Sequence, residues 1–162
     1  DKSRDYIKYS CENNYGLACD ETGKYRRYLW ADSYDYFKKG CNLKVGDSCY
    51  YVSLQIEDQK RKRNILTKAC DLNSSKACRS LARLYEDGKY VRYDEEKSLL
   101  LFEKSCKLGD TQVCYELGEK YYSEDNILKR QKEKALEYFG LSCDFGSEKG
   151  CLKYKKLSTE FL

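Results

Sequence analysis

Cys106-Lys107-Leu108-Gly109-Asp110-Thr111-Gln112-Val113-Cys114 is the stretch that decides the fold. On one continuous helix, cysteines eight positions apart would be separated by about 12 Å of axial rise. A disulfide needs Cα atoms roughly 4.4–6.8 Å apart, so the chain must reverse between them. Gly109 suits the left-handed residue that ends a helix, and Asp110 suits the cap that starts the next. The stretch reads as an αα-hairpin stapled across its turn.

The same spacing recurs in Cys11/Cys19, Cys41/Cys49, Cys70/Cys78 and Cys143/Cys151, so the five pairs use all ten cysteines. Four turns share a pattern of an apolar residue, Gly or Asn, then Asp or Ser: Val45-Gly46-Asp47, Leu72-Asn73-Ser74, Leu108-Gly109-Asp110 and Phe145-Gly146-Ser147. The first turn, with Asn13-Asn14, reads as looser. Successive first cysteines lie 30, 29, 36 and 37 residues apart. Periods of this size belong to helical solenoids. Pro is absent, and the intervening sequence has helical periodicity. The expectation is an all-α solenoid.

Chemistry is constrained by what the composition lacks. The chain has 162 residues and no His. A Ser-His-Asp or Cys-His site is therefore excluded, and zinc loses its commonest ligand. There is no Cys-x-x-Cys, so disulfides rather than a metal site or redox catalysis account for the cysteines. Their even count points to an oxidising compartment, periplasmic or secreted. Each staple closes a loop worth roughly 2.6 kcal/mol in the chain-entropy model. No apolar run approaches 18 residues, so no membrane insertion is expected. Lacking an initiator Met and a signal peptide, the sequence reads as a mature or trimmed form. The net charge is +4, with one short basic run, Lys60–Arg63, which reads as a solvated surface and not as a nucleic-acid patch. No cofactor and no metal are expected.

The third repeat is the clearest. A first helix is predicted over Lys76–Asp87, a turn at Gly88–Val91, a cap at Asp94 and a second helix over Glu95–Lys107. Leu81, Ala82 and Tyr85 face inward from the first helix, and Ser98, Phe102, Ser105 and Cys106 from the second. The fourth repeats the register with Leu117, Gly118 and Tyr121, then Ala135, Phe139, Ser142 and Cys143. Ser123–Asn126 reads as the polar loop between its helices.

This pattern of Leu81-Ala82, Tyr85, Gly88, Val91, Asp94, Lys97-Ser98, Phe102 and Ser105 resembles the SEL-one-like repeat, a relative of the tetratricopeptide repeat. The cysteines eight apart make the chain similar to the Helicobacter cysteine-rich proteins. The resemblance is strongest over 65–151. It thins in the first two repeats, where Thr22, Gly23 and Arg26 occupy the Leu81, Ala82 and Tyr85 positions. It implies helix pairs stacked into a right-handed superhelix, in an exported protein. Relatives include adaptors, and also β-lactamases and penicillin binders. For the latter activity no residues are at hand: no Ser has Lys three positions on, and Ser-Asp-Asn and Lys-Thr-Gly are missing. The reading leans away from an enzyme, with a β-lactam hydrolase as the alternative.

Residues 1–162 are expected to form a single repeat domain. An incomplete unit spans 1–11, repeats span about 12–41, 42–70, 71–106 and 107–143, and a terminal helix covers 144–162. Beginning and ending mid-repeat leaves room for a longer parent chain. Four positions beyond each second cysteine stand Gly23, Ser53, Ala82, Gly118 and Lys155. The first four are small, as close helix crossing requires, whereas Lys155, with Tyr154 and Ser158, marks a terminal helix with one wet face. In the incomplete unit, Ile7 stands at the Phe102 position.

Positions one and five beyond each second cysteine share a helix face and vary in type. They are Asp20/Lys24, Tyr50/Leu54, Arg79/Arg83, Tyr115/Glu119 and Leu152/Lys156. First helices of stacked pairs line the concave surface, so Tyr50, Arg79, Arg83, Tyr115 and Glu119 are the candidate ligand-binding row. A monomer is expected, binding a peptide, a protein or a peptidoglycan fragment. The adjacent tyrosines Tyr50-Tyr51 and Tyr121-Tyr122 are each expected to turn one ring outward.

Overall fold

Each second cysteine sits one helix away from its partner in the computed structural model, which describes residues 2–26, 33–88, 90–122 and 129–159. Among the described residues every regular element is helical. They are α1 (Lys2–Glu12), α2 (Gly16–Arg26), α3 (Ser33–Asn42), α4 (Gly46–Ser53) and α5 (Gln59–Asp71). Then follow α6 (Ser75–Asp87), α7 (Glu95–Lys107), α8 (Thr111–Tyr121), α9 (Lys129–Asp144) and α10 (Glu148–Thr159). Even-numbered helices are the first members of the pairs, and odd-numbered helices the second. Consecutive helices pack antiparallel into a right-handed superhelical solenoid.

The five pairs Cys11–Cys19, Cys41–Cys49, Cys70–Cys78, Cys106–Cys114 and Cys143–Cys151 are disulfides as expected, with Cα atoms 4.5–4.8 Å apart. Each joins a second helix to the first helix of the next pair. Eight of these cysteines are buried; Cys143 and Cys151 are half-buried. Cys49 and Cys78 are core residues as well as staples. Both are fully buried, in one core cluster with Phe37, Leu66 and Leu81. Their sulfurs fill space between helices.

All five turns have the same geometry. The residue three beyond the first cysteine is left-handed: Asn14, Lys44, Asn73, Gly109 and Gly146. Its N–H reaches the first cysteine's carbonyl, and the next N–H reaches the carbonyl preceding that cysteine. This is the Schellman arrangement.

Two expectations about the turns are corrected. The first turn is as regular as the others, with Asn14 at φ 68°. In the second, the left-handed residue is Lys44, not Gly46. Gly46 instead opens α4, where a Cβ would lie 2.5 Å from the Leu72 carbonyl oxygen. The glycine is thus needed for close approach between successive turns.

Core packing explains the small residues. A Cβ on Gly23 would meet the Phe37 ring at 2.6 Å, and one on Gly118 the Phe139 ring at 2.6 Å. Ala82 packs in one cluster with Phe102. Phe37, Leu66, Phe102 and Phe139 all stand four residues before a first cysteine, and all are buried. Each first helix therefore offers a shallow notch to one large side chain of the second. Ile7, in the equivalent position on α1, packs against Cys11, Ala18 and Cys19. Thr22 is buried and donates to the Ala18 carbonyl at 2.7 Å, so its polar group is satisfied. The Arg26 side chain and the Ser123–Asn126 loop lie outside the described residues. At the far end, Lys155 and Tyr154 are exposed while Leu157 is buried, giving α10 its wet face.

Asp94 caps α7 by accepting from the Lys97 N–H at 2.9 Å, and Asp110 caps α8 through Val113. These side chains satisfy donors that a helix start leaves unpaired.

Candidate functional site

The inner positions of the first helices do not form an array of free side chains. Several polar side chains at or beside them reach forward to the next first helix or to its cap. Asp20, buried on α2, accepts from Ser48 Oγ on α4 at 2.8 Å. Asp47 on α4 accepts from Ser74 Oγ at 2.6 Å and from Lys76 at 3.3 Å. Arg79 on α6 pairs with Asp110 at 3.1 Å. Glu119 on α8 pairs with Lys153 of α10 at 2.9 Å. These contacts fasten one repeat to the next.

The expected row is accordingly divided. Tyr50 is half-buried, its ring 5.4 Å from Tyr51 in edge-on contact. Tyr115 is half-buried against Phe139, with ring centroids 5.6 Å apart. Arg83 is the open member, its side chain 51% exposed and bonded to Glu116 at 3.3 Å. Its guanidinium also lies 5.7 Å from the Phe102 ring centre. Arg79 and Arg83 thus point toward α8, while Tyr115 and Glu119 point onward to α9 and α10. The expectation of one outward ring in each tyrosine pair is corrected as well. Tyr51 stacks on Phe37 at 4.4 Å and Tyr121 on Tyr138 at 5.5 Å, so all four rings are half-buried. Adjacent residues escape the face rule because rings of this length lean into gaps on both sides of their helix.

One cleft was not visible in the sequence reading. Between α6 and α8 lies a space of about 110 Å³ with Phe102, Val113 and Leu117 as its floor. Arg83, Glu116 and Lys120 form charged walls. Glu116 and Lys120 stand two and six residues beyond Cys114, one helical step from the predicted row. The signal for them lies in that register.

Two lysines on the first helices keep their charge through neighbouring acceptors. Burial works against the Lys24 ammonium, yet hydrogen bonds to Asp20 and Glu21 prevail and hold its pKa above the ordinary lysine value. Lys76 is raised in the same way: burial opposes the charge, and Tyr51 and Asp47 outweigh it. Among the described residues no group of three Cys, Asp or Glu side chains converges as a metal would require. No described helix is long and apolar enough to cross a membrane. The disulfides are the covalent mark of an oxidising, extracytoplasmic setting.

The Sel1 repeat model matches residues 75–110 and 111–146. Cysteine-rich protein B of Helicobacter pylori is 36% identical, over 72% of this chain and 88% of that one, with a TM-score of 0.56. A Sel1 repeat protein from Oxalobacter formigenes superposes with a TM-score of 0.72 at 17% identity, over 92% of this chain and 66% of that one, and shows the fold alone. Cytochrome c oxidase assembly factor 7A of Xenopus laevis is 31% identical over 62% of this chain and 49% of its own length. The chain spans about half the length of the Xenopus relatives it matches. Sel1 repeats serve in general as protein-interaction modules. Two repeat matches and the identity to a cysteine-rich protein covered over most of its length agree with the stapled helix pairs: the chain belongs to the Sel1 repeat family.

Proposed function

We propose that this chain is a non-catalytic scaffold that binds a peptide segment on its concave face. The segment belongs to a protein partner or to a peptidoglycan fragment. It works as a monomer, in the periplasm or outside the cell, where its disulfides persist. The observation that carries the reading is the α6–α8 cleft, whose apolar floor between charged walls suits one anchoring side chain of an extended peptide. Arg83 is exposed enough to exchange Glu116 for a ligand carboxylate. Tyr50, Arg79, Tyr115 and Glu119 frame the rest of the face, with Arg79 and Glu119 holding the repeats at the spacing the ligand meets. The Xenopus relatives' name, an assembly factor, fits a role exercised through protein contact.

The experiment is a selection from a displayed peptide library, followed by titration calorimetry with the chain and with Arg83→Glu. Losing a charge-assisted contact should weaken binding by roughly 1.5–3 kcal/mol. A chromogenic β-lactam is assayed alongside. Its turnover, co-purifying with the chain through successive columns, would establish a hydrolase instead.

A further inference from the structure

Asparagine stands at six positions of the chain, and at one of them a hydroxyl residue follows two places on: Asn73-Ser74-Ser75. Asn, any residue but Pro, then Ser or Thr is the acceptor pattern for attaching a glycan to the asparagine amide. It serves where it lies on an exposed turn of an exported chain. Asn73 is such a turn residue. It is exposed and left-handed, at φ 63°, between α5 and α6. Asn14 holds the same place in the first turn and is exposed too, but Tyr15 and Gly16 follow it and offer no hydroxyl at the second position.

The three residues divide between inside and outside. Ser74 is 2% exposed, caps α6 through the Ala77 N–H and donates to Asp47 at 2.6 Å. Asn73 and Ser75, on either side of it, line one open groove of about 770 Å³ along the disulfide-turn edge. An enzyme approaching from that groove meets amide and hydroxyl together. The Asn73 backbone N–H is bonded to the Cys70 carbonyl at 3.0 Å, while its side chain makes no hydrogen bond among the described residues. Ser75 is tied to Ser105 through its backbone carbonyl, at 2.9 Å, and not through its hydroxyl. Asp71, two residues before the acceptor, keeps a side chain 73% exposed, an anionic handle for a transferase that reads that position. The disulfides place the chain in the extracytoplasmic setting where such transfer occurs.

We propose that Asn73 is a glycosylation site, the acceptor for an oligosaccharide carried on a polyprenyl pyrophosphate. In the transfer, Asn73 Nδ2 bonds to the anomeric carbon of the first sugar, and the bond from that carbon to the pyrophosphate oxygen breaks. The carrier pyrophosphate leaves with the electron pair, and the amide gives up one proton to a base of the transferase. No oxidant or reductant takes part. Bulky and hydrophilic, the glycan covers the apolar Leu72 and Leu108 that line the same groove. The groove shares no lining residue with the α6–α8 cleft, so the modification leaves the inner face of the first helices free.

For the test, the chain is exported to the periplasm of a bacterium that carries an oligosaccharyltransferase and its polyprenyl-linked glycan. Periplasmic material without free thiol is then analysed by intact-mass and peptide mass spectrometry. Recovering disulfide-bonded chain from the periplasm keeps a failure of transfer distinct from a failure of export. A mass increase of one glycan is expected, on the peptide that holds Asn73. Asn73→Gln should abolish it. Ser75→Ala, which leaves both the asparagine and the carbonyl that serves Ser105 in place, should abolish it too. Asn14→Gln should leave it unchanged. An unmodified Asn73 in this material, a glycan on another asparagine, or one that survives Ser75→Ala would overturn the proposal.

Discussion

Arg79 of α6 holds Asp110, the residue that caps α8, at 3.1 Å, and so ties the start of one repeat to the middle of the preceding first helix. The Asp110 side chain is 6% exposed and accepts from Val113 N–H and from Ser105 Oγ as well. One carboxylate thus ends a turn, starts a helix and joins two repeats.

Arg79→Ala should therefore destabilise the chain, whereas Arg83→Ala should barely do so. Removing Arg79 leaves a buried carboxylate with two hydrogen bonds but no counter-charge, a loss of about 1–3 kcal/mol. Arg83 is largely exposed, and surface changes of that kind usually stay within about 0.5 kcal/mol. Denaturant unfolding of the two single variants checks this. Equal stabilities would mean that the Arg79 pair is a solvated contact.

The notch beneath each large second-helix side chain gives a paired test with glycine. Gly→Ala inside a helix ordinarily stabilises by up to about 1 kcal/mol. At Gly118 the added methyl would lie 2.6 Å from the Phe139 ring, so Gly118→Ala should instead destabilise by about 1–3 kcal/mol. At Gly140 the nearest atom is Tyr154's ring at 3.4 Å, an ordinary contact, and Gly140→Ala should be neutral or stabilising. Thermal unfolding distinguishes the two signs.

Alkaline pH should weaken the fold from about pH 10 upward. Burial of Tyr138, with Glu103 beside it, raises its pKa above the ordinary tyrosine value. Lys24 and Lys76 are also raised, although burial opposes their charge, because carboxylate and tyrosine partners prevail. A group raised in the folded state contributes stability that is fully present below its unfolded pKa, near 10 for both types, and is lost as pH rises toward the folded value. Unfolding temperature should be insensitive to these groups up to pH 9 and fall beyond pH 10, and Tyr138→Phe should flatten the fall. A flat profile to pH 11 would contradict it.

Much of the architecture was legible because the cysteine spacing is a geometric constraint, and a spacing of eight admits only a reversal. Asp94, Asp110, Ala82 and Gly118 were legible for a related reason: each answers a local need, an unpaired helix donor or a close crossing. What escaped was non-local. Lys44 adopts the left-handed conformation without being Gly or Asn, and Gly46 is explained only by a carbonyl in the following turn. Cys49 and Cys78 showed their spacing but not their share in the core, which depends on Phe37, Leu66 and Leu81 of neighbouring helices. The pairing of Arg79 with Asp110 escaped because the partner is 31 positions away. The α6–α8 cleft escaped because its floor, Phe102, comes from a second helix and its walls from two first helices.

The central claim, that the inner face of the first helices is where a peptide binds, is tested most directly by two-dimensional NMR. The labelled chain is titrated with a peptide selected from a library without acidic runs, and amide shifts are followed. Perturbations should gather on α6 and α8, around Arg83, Tyr115, Leu117 and Glu119. Perturbations confined to the second helices α5, α7 and α9, with the first helices silent, would contradict the account.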